Sequence, residues 1–136
     1  MVKIYLDSCV YIYFFEGHPQ YGPPSKDILK KAEKGEIQIV ASPLIVQEIM
    51  SGLYRQKDVP VEETWGTLME WWNIRWTDLS VEIADEAAQL SAFFNLRAPD
   101  AIHLATALAE DCSSFITNDK ELLRVSKALS LKIELI

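Results

Sequence analysis

Five short apolar runs, separated by stretches of helical periodicity, constrain the fold of this chain more than any other feature. "VKIYLD" (2–7), "IQIVA" (37–41), "SSFIT" (113–117) and "LKIEL" (131–135) have strand length and strand composition. "NIRWTDL" (73–79) reads as a short strand or extended piece. Helical patterns lie between them at 25–36, 42–55, 58–72 and 80–96, within 97–110 from near Pro99, and at 119–129. Ser42 and Pro43 offer an N-cap and a first helical residue, and Gly35 a stop. The helices carry apolar stripes: Ile28, Leu29 and Ala32; Leu44, Ile45, Ile49 and Leu53; Ile83, Ala87, Leu90 and Phe94; Ala101, Leu104, Ala105 and Leu108. Strands this apolar need cover on both faces. The alternation therefore predicts an α/β fold with a parallel sheet buried between helices.

A chain of 136 residues, nearly half of them apolar, can close one core without disulfide or metal staples. Cys9 and Cys112 lack ligand-like spacing and read as reduced core thiols. The first residues, "MVKIYLDSC", reach an aspartate too soon for a secretory leader, and no apolar run approaches a spanning helix. The expectation is a soluble, cytoplasmic protein with no membrane partner. Its net charge of −7 speaks against a general binder of phosphate backbones, whose surface would be basic. It does not exclude a nucleic-acid enzyme in which metal ions carry the positive charge.

The placement of the acids then matters. Asp7 and Asp119 each follow a predicted strand, and the carboxyl ends of parallel strands share the rim where ligands bind. Glu48 lies in the 42–55 helix near its apolar side, and Asp100 opens a helix whose free N–H groups favour negative charge. Each also has a plain reading: a turn residue for Asp7, a solvated helix acid for Glu48, and helix caps for Asp100 and Asp119. If all four converge, their mutual repulsion calls for a divalent cation, and an all-oxygen set suits Mg2+ or Mn2+ rather than zinc. Ser8, Thr117 and Asn118 adjoin these acids and can orient a carboxylate or hold ligand water. Arg97, Lys120 and Arg124 stand near enough in sequence to meet phosphates, with Arg55 a weaker fourth. His103, one turn after Asp100, reads as a structural neighbour with a titration range that would also suit proton transfer. His18 reads as an exposed loop residue. Trp65, Trp71, Trp72 and Trp76 read as a cluster serving the core or a subunit contact, with base stacking as the alternative.

Four blocks, in order, "YLDSCVYIYF" (5–14), "ASPLIVQEIMSG" (41–52), "LRAPDAIHLATAL" (96–108) and "SFITNDKELLRV" (114–125), resemble the signature blocks of PIN domains. Among these the chain most resembles the small VapC-type toxin ribonucleases. The likeness runs from residue 3 to 136 and implies a single PIN domain over 1–136. It implies a three-layer α/β/α sandwich with a central parallel sheet. It also implies an acidic pocket for Mg2+ or Mn2+ in which Asp7, Glu48, Asp100 and Asp119 are both metal ligands and catalytic residues. The activity implied is endoribonuclease cleavage by the toxin of a type II toxin–antitoxin pair. Such a toxin forms a homodimer, acts on RNA, and is silenced by a small antitoxin whose tail enters the groove.

Two other readings of the same chain stand beside this one. A PIN-type nuclease could process RNA or act on DNA, and an α/β interaction module could carry the acids without catalysis. A phosphatase of the haloacid dehalogenase type also begins with an aspartate after strand one. It requires a second acid two residues later, where this chain has Cys9.

Overall fold

The computed structural model describes residues 1–136, the side chain of Trp71 excepted. The five predicted runs become β1 (Lys3–Leu6), β2 (Gln38–Ala41), β3 (Ile74–Trp76), β4 (Ser114–Thr117) and β5 (Lys132–Leu135). They pair in the order β3-β2-β1-β4-β5, every pair parallel. Six α-helices lie between them: α1 (Ser8–Glu16), α2 (Gly22–Glu33), α3 (Leu44–Tyr54), α4 (Val61–Gly66), α5 (Val81–Phe94) and α6 (Ala98–Ala109). The crossovers from β1 to β2 and from β2 to β3 advance in one direction along the sheet, and the crossover from β3 to β4 returns in the other. Right-handed crossovers therefore put α1–α3 on one face and α5–α6 on the opposite one. The result is the expected α/β/α sandwich. Among the described residues no helix is long and apolar enough to cross a membrane.

The central strands are buried on both sides, as their composition requires. Tyr5, Leu6, Ile39, Val40, Ala41 and Phe115 are all fully buried, with Tyr5 stacked on Phe115 at 5.3 Å between ring centroids. Leu6, Ile39, Val40 and Phe115 each contribute about 1.5–3 kcal/mol through burial. The predicted helix stripes face this core except at Leu44, which is half-buried outside it: Leu29, Ala32, Ile45, Ile49, Ile83, Ala87, Leu90, Ala101, Leu104 and Ala105 are buried, while Ile28, Leu53, Phe94 and Leu108 pack at its margin. Cys9 and Cys112 are free thiols, Cys112 buried. Burial pushes Cys112 up to about 12 and, with help from the Asp7 charge, Cys9 up to about 11.

In its elements and its tryptophans the structure departs from the sequence expectation in four places. Residues 8–16, assigned no element from sequence, form α1. The 119–129 helix is instead a 3-10 helix over Lys120–Ala128, with Leu122 and Val125 buried at the three-residue spacing of that geometry. The 58–72 helix is split into α4 and a π-helical turn, Thr67–Trp71. The tryptophans do not form one cluster. Trp72 packs in the core against Tyr11, Phe14 and Phe15, whereas Trp65 and Trp76 line a shallow apolar groove with Val46 and Met69. The side chain of Trp71 lies outside the described residues.

Candidate active site

Strand order reverses between β1 and β4, so the crevice beyond their carboxyl ends is the fold's switch point for ligands. Asp7 stands there. Its backbone N–H continues the ladder to the Ile116 carbonyl at 2.9 Å, and its side chain is held from two sides. Oδ1 accepts the Ser8 N–H at 2.9 Å, which caps α1, and Oδ2 accepts the Thr117 hydroxyl at 2.7 Å. The Thr117 oxygen in turn accepts the Asp119 N–H at 3.1 Å. Burial raises the Asp7 carboxyl above the ordinary carboxylate value. The two hydrogen bonds offset part of the rise, and the nearby Glu48 charge adds to it.

Glu48 reaches this crevice from the middle of α3, whose N-cap falls at Pro43 rather than Ser42, although the Ser42 hydroxyl still accepts the Leu44 N–H at 3.2 Å. His103 comes from α6 and is 1 % exposed. One atom from each of Asp7, Glu48 and His103 lies within 4.8 Å of the others. Both imidazole nitrogens, however, are already engaged. The Ser42 N–H donates to the Tyr5 hydroxyl at 3.2 Å, so that hydroxyl gives its own proton to His103 Nδ1 at 2.5 Å. Nε2 then carries the ring proton and donates it to Glu48 Oε1 at 2.5 Å. His103 is thus a positioning residue, fixing Glu48 and leaving its second oxygen for another partner.

Asp100, in the first turn of α6, and Asp119, at the head of the 3-10 helix, line the same open cleft of about 290 Å³ as Asp7 and Glu48. They stand outside the tight Asp7–Glu48–His103 group. Asp119 Oδ1 accepts the Glu121 N–H at 3.0 Å, so it caps its helix as well as facing the cleft. Asp100 pairs with the exposed Arg97 at 3.4 Å. Of the other expected residues, Thr117 and the Ser8 backbone orient Asp7. Asn118 donates instead to the Tyr13 hydroxyl, at 2.9 Å. Arg97 and Arg124 line a second cleft that shares Asp100 and Asp119 with the first. Lys120 and Arg55 are exposed and line neither.

His18 corrects the expectation of a merely exposed residue. It is half-buried, and its Nδ1 accepts the N–H groups of Gln20 and Tyr21 at 3.2 and 3.0 Å.

A family model described as PIN domain matches residues 4–128. The chain belongs to the PIN domain family. No curated protein sequence matches it. Among solved structures, this PIN domain is similar to VapBC2 from Rickettsia felis bound to a DNA fragment from their promoter, at 17% identity and a TM-score of 0.74, covering 98% of each chain. It is also similar to DNA-bound VapBC from Salmonella typhimurium, at 17% identity and a TM-score of 0.70, covering 99% of this chain and 98% of that one. A toxin–antitoxin complex from Klebsiella pneumoniae matches at 22% identity and a TM-score of 0.68, covering 94% of each. At these identities the likeness establishes the fold.

The donor set of this PIN domain fits a hard divalent cation. Asp7 and Glu48 present carboxylate oxygens a few ångströms apart, two more carboxylates share their cleft, and the one nearby imidazole is consumed by hydrogen bonds. Like charges this close cost stability until a cation offsets them.

Proposed function

We propose that the chain is a metal-dependent endoribonuclease over 1–136 that hydrolyses RNA phosphodiester bonds as the toxin of a type II toxin–antitoxin pair. In this reading it is a cytoplasmic homodimer silenced by a small antitoxin protein. The observation that carries the chemistry is the shared cleft of Asp7, Glu48, Asp100 and Asp119 at the β1–β4 switch point. These four would hold Mg2+ or Mn2+. Held there, such an ion would supply Lewis acidity toward a phosphoryl oxygen and lower the pKa of a water. The protein does the positioning: Thr117 and the Ser8 N–H fix Asp7, and His103 fixes Glu48. Arg97 and Arg124 put positive charge along the adjoining cleft, where flanking phosphates would run, with Lys120 exposed beside it. The toxin role draws support from the VapBC complexes among similar structures.

Incubation of purified protein with single-stranded RNA and Mn2+ tests the reading. Cleavage should stop in EDTA and fall by more than about a hundredfold in Asp7→Asn, since even residues behind metal ligands cost 10- to 100-fold. Equal cleavage by both proteins, or cleavage that survives EDTA, would overturn it.

A further inference from the structure

The corner between α1 and α2 carries three rings, of which only Tyr13 reaches the acidic cleft. Tyr13, His18 and Tyr21 are mutually packed, each pair of ring centroids 5.0 Å apart. All three are half-buried, so each keeps an exposed part. The trio is tied to the acid cleft at one side and opens on a separate cavity at the other. Tyr13 lines the cleft beside Asp7 and Glu48, and its hydroxyl is held by the Asn118 amide next to Asp119. His18 lines a cavity of about 460 Å³ with Phe14, Pro19, Pro23 and Lys26.

The corner is also rigid. Gly17 ends α1 in the left-handed region at φ 62°, and the His18 N–H returns to the Tyr13 carbonyl at 2.9 Å. Gly22 packs so closely on this turn that a Cβ there would meet Gly17 C and Tyr13 O at 3.3 Å. Because His18 Nδ1 accepts two backbone N–H groups, its proton sits on Nε2, away from those bonds. The corner thus combines packed aromatic rings, a His18 N–H that the turn does not use and, on the adjoining cavity, Lys26, with Tyr13 reaching the acid cleft.

We propose that Tyr13, His18 and Tyr21, with Lys26, seat a nucleotide flanking the scissile phosphate, its base against the rings and its phosphate toward Lys26. The inference rests on the nuclease reading and adds the residues that select where along a strand the cut falls. Aromatic surfaces beside a charged track are the general means of holding unpaired bases. A peptide could also lie on rings, but the link through Tyr13 to the acid cleft favours the strand being cut.

The test uses single-stranded RNA carrying 2-aminopurine at one position at a time, whose fluorescence falls when the base stacks. The full chain is compared with His18→Asn, Tyr21→Ala and Lys26→Ala. His18→Asn removes the ring while its amide oxygen can still accept the Gln20 and Tyr21 N–H groups, and thermal melts report folding. One flanking position should be quenched by the unaltered protein. His18→Asn and Tyr21→Ala should lose that quench and weaken binding by roughly 5- to 150-fold, the effect of one stacked base. Removing that nucleotide from the RNA should then cost the variants nothing further. Loss of affinity that is the same for long and shortened RNA would overturn the proposal, because it marks a structural role. Unchanged quench in folded variants, as expected if the rings serve a peptide, would also overturn it. Cleavage without any quench would refute the stacking site and leave the nuclease reading intact, whereas quench without cleavage would do the reverse.

Discussion

The hydrogen bonds from Ser42 through Tyr5 and His103 to Glu48 run in one direction, because each group can give its proton only once. Burial raises the Tyr5 hydroxyl well above its ordinary value, so it stays a donor to His103. Replacing His103 with leucine leaves the Tyr5 proton and Glu48 Oε1 without partners, a loss of about 1–3 kcal/mol. Through misplacement of Glu48 it should lower cleavage by about 10- to 100-fold and raise the metal concentration needed for half-maximal activity. Unchanged metal dependence would return His103 to a packing role. Asp7 offers a test by pH. Its folded pKa lies above the unfolded value, so the metal-free fold favours the neutral carboxyl. That stabilisation is complete below the unfolded carboxylate range and is lost as pH rises through the raised folded value. At neutral pH the ionised group is a liability that the proposed cation would relieve. Metal-free Asp7→Asn should therefore melt above the unaltered protein at pH 7, the two should converge in acid, and only the unaltered protein should gain from Mg2+ or Mn2+. A variant that melts lower at pH 7 without metal would contradict the assignment.

Among the elements, the α1–α2 corner has the least tolerance. A Cβ at Gly22 would press on backbone atoms that cannot swing away, whereas one at Gly52, within α3, meets nothing within 4 Å. Gly22→Ala should cost about 1–3 kcal/mol by overpacking. Gly52→Ala should stabilise by about 0.4–1 kcal/mol through its helical backbone. Thermal or urea melts of the pair decide it, and equal effects would refute the tight corner. This corner was also the least legible part of the sequence. "SCVYIYFFE" is β-branched and aromatic with no polar face, and it becomes helix because the core encloses Val10 and Tyr11 while Asp7 and Gly17 cap its ends. The sheet was legible because buried parallel strands must be short continuous apolar runs. The carboxylates were legible only as a set, since Asp7 and Asp119 serve as caps and line the cleft at once. His103 was not legible, because its partners lie 98 and 55 residues away and only the packing of α6 on the sheet brings them together.

At the scale of the molecule, the proposed ribonuclease would have to admit a polyanion despite a net charge of −7. Long-range attraction is unavailable, so RNA binding would rest on a few local charges: Arg97 and Arg124 along one side of the acid cleft, Lys26 beyond the other, and the cation proposed for the carboxylates. Single-strand binding loses affinity with salt at a logarithmic slope of about −0.7 per phosphate contacted by a cation. Two to three contacts at these positions give an expected slope of about −1.4 to −2.1 at constant Mg2+. Arg97→Gln and Arg124→Gln should each reduce the magnitude by about 0.7, while Arg55→Gln, outside the clefts, should leave it unchanged. Fluorescence anisotropy with a labelled single-stranded RNA across a salt series measures all four slopes. A slope steeper than about −4 would mean that RNA follows a basic surface other than these clefts. An Arg55→Gln effect as large as the other two would mean the same.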